Sequence, residues 1–173
     1  METLSRFISA EAIAERVKEM GEQITADFKG EKLMMIGVLK GSFIFMADLI
    51  RHIDLPVEVS FISVSSYHAS TQSSGEVRLL YDVDKPLQGR NVIIVEDIID
   101  SGHTLNFLLN AFKARKAANI KICTLLSKPA RRVVGLDADY TGFEIEDKFV
   151  VGYGLDYASR YRNLPDICVV DLG

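Results

Sequence analysis

Residues 96–104 concentrate the most chemistry in the sequence. Glu96, Asp97 and Asp100 place three carboxylates within five residues, and Ser101-Gly102-His103-Thr104 follows directly. A short glycine-containing turn that opens a helix offers unpaired backbone N–H groups, and the helix dipole adds positive potential there. Ser101 and Thr104 add hydroxyls, so the turn suits a phosphate monoester. Taken alone, Ser-Gly-x-Thr is also an ordinary helix cap. The adjacent carboxylates Glu96 and Asp97 repel each other and resist burial. They make sense where something neutralises or uses them: a divalent metal, or the vicinal hydroxyls of a ribose. A ribose 5-phosphate carries hydroxyls and phosphate at a separation that matches the acidic pair and the turn beside it.

The elements that must position these groups alternate between short apolar runs and amphipathic stretches. Ala10–Phe28 reads as a helix, with Ile13, Val17, Met20, Ile24 and Phe28 on one face and Ser9 as N-cap. Leu33–Leu39, Asn91–Val95 and Ile120–Leu126 are continuous apolar runs suited to strands buried on both faces. Val57–Val64 and Glu76–Val83 are further strands, expected to form a long hairpin around the polar stretch 68–75. Phe43–Arg51, with Ser42 as cap, and Thr104–Lys116 read as helices. Glu96–His103 reads as a loop. FVVGYGLDY and ICVVDL are two late strand candidates. This alternation predicts an α/β fold with a mostly parallel central sheet flanked by helices, in one domain over residues 1–173. Ligands in such sheets sit beyond the carboxyl ends of the strands. Lys40-Gly41-Ser42, Glu96–Thr104 and Ser127–Arg132 are therefore expected on one edge.

Composition narrows the classes. With 48% hydrophobic and 25% charged residues among 173, the chain is an ordinary globule rather than a disordered one. A net charge of −4 argues against a general nucleic-acid or anionic-membrane binder. Cys123 and Cys168 sit in apolar runs and form no C-x-x-C, so they read as buried free thiols in a reducing compartment. No run approaches the ~18 apolar residues of a membrane span, and the cytoplasm is the expected location. No Walker A loop occurs, and Gly152-x-Gly154 lacks the third glycine of a dinucleotide fingerprint.

Val92–Thr104, VIIVEDIIDSGHT, resembles the phosphoribosyl pyrophosphate (PRPP) motif of the type I phosphoribosyltransferases. Leu39-Lys40-Gly41-Ser42 resembles that family's pyrophosphate loop, and Ser66-Tyr67 with the polar stretch after it resembles its mobile lid. FVVGYGLDY at Phe149–Tyr157, with Arg162 beyond it, resembles the purine segment of the hypoxanthine-guanine members. The resemblance implies the type I fold with a small hood from the C-terminal segment. It also implies Mg²⁺-dependent transfer from PRPP to a 6-oxopurine in purine salvage, and a homodimer or homotetramer. Residue by residue, it implies that Glu96 and Asp97 hold the ribose hydroxyls and the metal shell. Asp100 would serve purine N7 as the proton-transfer group, and Ser101, Gly102, His103 and Thr104 would cradle the 5-phosphate. Lys40, Gly41 and Arg162 would meet pyrophosphate, and Asp156 a second Mg²⁺. Lys128 would donate to the purine 6-oxygen, Phe149 and Ile98 would sandwich the ring, and backbone groups at Val150 and Asp156 would read its edge. The peptide before Lys40 can be cis in the family. Two competing readings are a type I relative acting on xanthine or a pyrimidine, and a regulator that uses the PRPP site as a sensor. Without the resemblance, Phe149 reads as core and Lys128 as a surface lysine of the KPARR turn.

Overall fold

The computed structural model describes residues 1–66 and 77–173. In chain order the elements are β1 (Thr3–Ile8), α1 (Ala10–Asp27), β2 (Leu33–Leu39), α2 (Phe43–Ile50), β3 (Val57–Ser66), β4 (Val77–Tyr81), β5 (Asn91–Ile99), α3 (His103–Ala114), β6 (Asn119–Ser127), β7 (Tyr140–Glu144), β8 (Val150–Val151) and β9 (Ile167–Asp171). A single 3₁₀ turn covers Pro129–Arg131. Among the described residues no helix is long and apolar enough to cross a membrane.

The main sheet has the order β4-β3-β2-β5-β6-β7. Every pairing in it is parallel except the β3–β4 edge, which is the antiparallel hairpin expected from sequence. Side chains alternate across the buried strands, as the period of two requires. From β2 and β5, Leu33, Met35, Ile93 and Val95 face α1 and α2; Met34, Ile36, Val92 and Ile94 face the other way, toward Leu105, Leu108 and Phe112 of α3. Both faces are thus covered, which explains the unbroken apolar runs. Helix α1 starts where Ser9 Oγ accepts from the Ala12 N–H at 3.1 Å.

Five features depart from the sequence-based expectation. The stretch Glu96–Ile99 is not loop: β5 continues through it, because Glu96, Ile98 and Ile99 stay in parallel register with Thr124, Leu126 and Ser127 of β6. Ser42 does not cap α2; its Oγ donates back to the Val38 carbonyl at 2.7 Å. FVVGYGLDY contributes a strand of only two residues, and the chain then turns at Gly152. The hood is a three-stranded sheet, β1-β9-β8, so it recruits the N-terminal strand as well as the C-terminal segment. Strand β7 adds a parallel edge that the sequence reading passed over.

Leu108 is fully buried beneath the sheet in α3. Leu108→Ala is expected to lower stability by about 2–5 kcal/mol in urea unfolding, and a loss below about 1 kcal/mol would contradict this packing.

Candidate active site

Three strand ends converge at one edge of the main sheet. From β2 comes Lys40-Gly41, from β5 the acidic run ending in Asp100 and the turn into α3, and from β6 Lys128. The hood supplies a fourth side. A cavity of about 410 Å³ is lined by Lys40, Gly41, Glu96, Asp97, Ile98, Asp100, Ser101, Gly102, Thr104, Asp156 and Arg162 among others. A second, of about 360 Å³, is lined by Ile98, Asp100, Lys128, Arg131, Phe149, Val150, Leu155 and Asp156 with Asp97. The two share Asp97, Ile98, Asp100 and Asp156. One compartment is polar and faces a helix N-terminus. The other sets Ile98, Phe149, Val150 and Leu155 beside the charged groups of Asp97, Asp100, Lys128, Arg131 and Asp156. A ligand with a phosphorylated sugar and a flat base would fill both.

The acidic pair sits on β5 where the strand leaves the core. Glu96 is only 7% exposed. Burial pushes its carboxyl well above the usual range, and the charges of Asp97 and Asp100 push the same way. Asp97 is also raised by burial, against hydrogen bonds from backbone N–H groups and the field of Arg162. Its Oδ1 accepts from the Ile98 N–H at 2.7 Å, and Glu96 Oε1 accepts from the Asp97 N–H at 3.1 Å. Gly41 explains how β2 can come so near: a Cβ there would overlap the Asp97 carboxylate. The Leu39–Lys40 peptide is cis.

The turn before α3 passes through left-handed backbone at Gly102, φ 92°. Ser101 Oγ accepts from the His103 N–H at 3.3 Å, and the Ser101 carbonyl accepts from the N–H groups of Val133 and Val134. His103 begins α3 but does not line either cavity, unlike the rest of the turn. Arg132, which the sequence reading left in a surface turn, braces this region. Its Nε donates to the Asp100 carbonyl at 3.1 Å, one Nη to Ser127 Oγ at 2.8 Å and the other to the Leu136 carbonyl at 2.7 Å.

In the second cavity Lys128 is 8% exposed, which removes the reading as a surface lysine. Its Nζ lies 3.8 Å from Asp100 Oδ1 and 4.0 Å from Asp147 Oδ1. Arg131 Nε stands 2.9 Å from Asp147 Oδ2 and holds the Asp147 carboxyl below its usual range. Arg131 and Asp147 are site residues that the sequence reading missed. The only signal for them was the basic turn and the acidic residue before Phe149. Phe149 is 47% exposed, so it is not core; its ring meets Tyr157 edge-on with centroids 5.5 Å apart. Val150 is buried and paired to Val169 of β9. Arg162 donates to the Gly154 carbonyl at 2.6 Å and pairs with Asp156 at 3.1 Å. Ser66 ends β3, while Tyr67 and the polar stretch after it lie outside the described residues.

Among the described residues, no three His, Cys, Asp or Glu side chains converge into a metal cage. The oxygen donors Glu96, Asp97 and Asp156 line the phosphate-side cavity. That set fits a hard cation that keeps waters and shares ligands with substrate phosphates, as Mg²⁺ does.

A central strand carrying a buried acidic pair, followed by a glycine turn that opens a helix and flanked by a second cavity, is the arrangement expected of a phosphoribosyltransferase site. The family model described as "Phosphoribosyl transferase domain" matches residues 5–158. A hypoxanthine-guanine phosphoribosyltransferase of Bacillus subtilis is 55% identical over 164 residues, covering 95% of this chain and 91% of the relative. The crystal structure of a hypoxanthine-guanine phosphoribosyltransferase from Bacillus anthracis superposes with a TM-score of 0.92 at 51% identity, covering 99% and 100% of the two chains. A hypoxanthine phosphoribosyltransferase from Staphylococcus aureus superposes with a TM-score of 0.93 at 43% identity, covering 96% and 91%. The chain belongs to the phosphoribosyltransferase family, among the hypoxanthine-guanine phosphoribosyltransferases, and has the type I fold.

A carboxyl held above its ordinary 4.5 binds its proton more tightly in the folded chain than in the unfolded one. In EDTA and without ligands, Glu96 therefore makes stability fall as pH rises from about 5 into the neutral range. Glu96→Gln is expected to melt higher than the wild type at pH 8, with the gap narrowing toward pH 5. A variant less stable than wild type at pH 8 would contradict the buried-charge description.

Proposed function

We propose that this protein transfers the 5-phosphoribosyl group of PRPP to N9 of hypoxanthine and guanine, giving IMP or GMP and pyrophosphate in purine salvage, as one domain spanning residues 1–173. The observation that carries the reading is the pair of cavities joined at Asp97, Ile98, Asp100 and Asp156, one suited to a sugar phosphate and the other to a planar 6-oxo base.

In this reading the turn Ser101–Thr104 binds the 5-phosphate through backbone N–H groups and hydroxyls. Glu96 and Asp97 accept from the ribose hydroxyls, and their charge favours the positive character that grows at the anomeric carbon as its bond to pyrophosphate breaks. The N9 lone pair forms the new bond to that carbon, and the pyrophosphate oxygen takes the electron pair of the broken one. The N7 proton passes to Asp100, whose carboxylate is exposed to the cavity. Lys40, the Gly41 backbone and Arg162 stabilise the departing anion, and Arg162 does so by exchanging part of its pairing with Asp156. Mg²⁺, when bound by Glu96, Asp97 and Asp156 with substrate oxygens, supplies charge neutralisation of the pyrophosphate.

Lys128 selects the base. Its ammonium donates to a 6-oxygen and meets only another donor at a 6-amino group, so adenine leaves a charged donor unpaired. Asp147 and Asp100 hold that ammonium from two sides. Phe149 stands exposed at the slot because the ring it stacks on is the substrate's, with Ile98 opposite.

Product formation with PRPP and Mg²⁺ on hypoxanthine, guanine, xanthine and adenine in parallel tests the proposal. Turnover is expected for hypoxanthine and guanine and not for adenine. Asp100→Asn is expected to slow it by a factor on the order of 10²–10⁴. Adenine turnover equal to that of hypoxanthine, or an unaffected Asp100→Asn enzyme, would overturn it.

The same proposal places the protein in the cytoplasm as a homodimer or homotetramer. Free, buried Cys123 and Cys168 suit a reducing compartment. Exposed Val59, Leu79, Leu80 and Tyr81 on the β3–β4 hairpin give apolar area for self-association. Light scattering coupled to size exclusion is expected to give a mass of two or four chains, and a monomer mass would contradict it.

A further inference from the structure

The dipeptide-spaced glycines Gly152 and Gly154 belong to no dinucleotide fingerprint, and the residue between them has an unusual setting. Gly152, Tyr153 and Gly154 all have left-handed backbone, with φ of 97°, 50° and 103°. Tyr153 is the only one with a side chain, and a bulky residue rarely stays there unless its surroundings hold it. Its N–H donates to the Leu164 carbonyl at 2.8 Å. Its ring is 8% exposed within the core that packs α1 and α2. Its hydroxyl donates to Asp48 Oδ2 of α2. Burial and that carboxylate together push the phenol upward, so it remains a donor.

The opposite side of the same turn lies against Gly41 and Arg162, which line the phosphate-side cavity. The Gly154 N–H donates to the Arg162 carbonyl at 2.9 Å, and the Gly154 carbonyl accepts from the Arg162 guanidinium. A Cβ on Gly154 would overlap the Gly41 carbonyl, so hood and pyrophosphate loop touch backbone to backbone. Helix α2 starts directly after that loop, with the Phe43 N–H donating to the Lys40 carbonyl at 3.2 Å. The hood turn therefore meets the Lys40–Ile50 segment at two points: Gly154 on Gly41, and Tyr153 on Asp48. One point would act as a pivot. Two points fix the angle.

We propose that the Tyr153–Asp48 hydrogen bond is a strut that sets the angle of the Asp156–Arg162 arm over the pyrophosphate loop, making Tyr153 and Asp48 positioning residues for the pyrophosphate end of the substrate. This rests on the assignment of that cavity end to pyrophosphate. Neither residue touches the reacting atoms. Without the hydroxyl, the turn rocks about the Gly41–Gly154 contact and carries Arg162 off the anion. The base slot is disturbed less, because Lys128 is held from β6 and Phe149 and Val150 by the β8–β9 pairing, while only Leu155 and Asp156, at the start of the arm, reach it.

Tyr153→Phe and Asp48→Asn test it. The readouts are calorimetric affinity for Mg²⁺–pyrophosphate, KM for PRPP and for hypoxanthine, and urea stability, with Ile24→Val as a core control away from the strut. Tyr153→Phe is expected to weaken pyrophosphate binding and raise the PRPP KM about tenfold, with the hypoxanthine KM almost unchanged. Asp48→Asn keeps an acceptor oxygen for the Tyr153 hydroxyl and is expected to retain most of the wild-type affinity. The double variant is expected to be no worse than Tyr153→Phe. Ile24→Val is expected to lose stability with both KM values intact. If Tyr153→Phe loses stability while its pyrophosphate affinity stays at the wild-type level, the strut is only structural and the proposal fails. If both KM values rise together, it also fails. Wild-type protein that does not bind pyrophosphate would instead refute the cavity assignment on which it rests.

Discussion

Two adjacent carboxylates at the end of the central strand are the constraint on which the rest of the structure depends. Glu96 is almost wholly buried and Asp97 is enclosed beside it, and burial raises both carboxyls. A sequence optimised for stability alone would not place them there, because an uncompensated buried charge is strongly disfavoured. The fold provides partial compensation through backbone N–H groups and the field of Arg162. Proton uptake relieves the remainder in the free chain, and in the proposed complex ribose hydroxyls and a cation would do so.

The surrounding architecture brings complementary groups to that pair. Parallel pairing carries β5 out beyond the core, so Glu96 and Asp97 are fixed by strand register and not by a loop. Gly41 lets β2 close against Asp97, and the turn into α3 is pinned from outside by Arg132 and the N–H groups of Val133 and Val134. Sheet and hood then form opposite walls. Lys128 and Asp100 belong to one, Phe149, Asp156 and Arg162 to the other. The hood is small, and its β1 strand is exposed along most of its length. Its inner residues Val150, Tyr153, Leu155 and Ile167 join the apolar core shared with α1 and α2, and Gly154 backs directly onto Gly41.

Much of this was legible in the sequence because the central strands are apolar without interruption. Leu33–Leu39 has the same bounds in sequence and structure, and Asn119–Ser127 exceeds the expected run by one residue at each end. Charge misled where tertiary pairing overrides local preference: Glu96-Asp97 reads as loop chemistry, yet β6 holds it in register. Strands β1 (TLSRFI) and β7 (YTGFE) carry no apolar run to mark them, because both are mixed in polarity, β1 mostly exposed and β7 half-buried. Lys128 and Phe149 show the limit from the other side. Residue type predicts a surface lysine and a core phenylalanine, and the structure reverses both, burying Lys128 and exposing Phe149. Arg131, Arg132 and Asp147 act through contacts that bring different strands and turns together, which spacing along the chain does not encode.

The most direct test of the central claim is a crystal structure of the protein with Mg²⁺, pyrophosphate and IMP. The account predicts ribose hydroxyls within hydrogen-bond distance of Glu96 and Asp97, and the 5′-phosphate in the Ser101–Thr104 turn. It also predicts the base between Phe149 and Ile98, with its 6-oxygen at Lys128 Nζ. A nucleotide bound with its ribose away from the acidic pair, leaving Glu96 and Asp97 without a ligand contact, would contradict it.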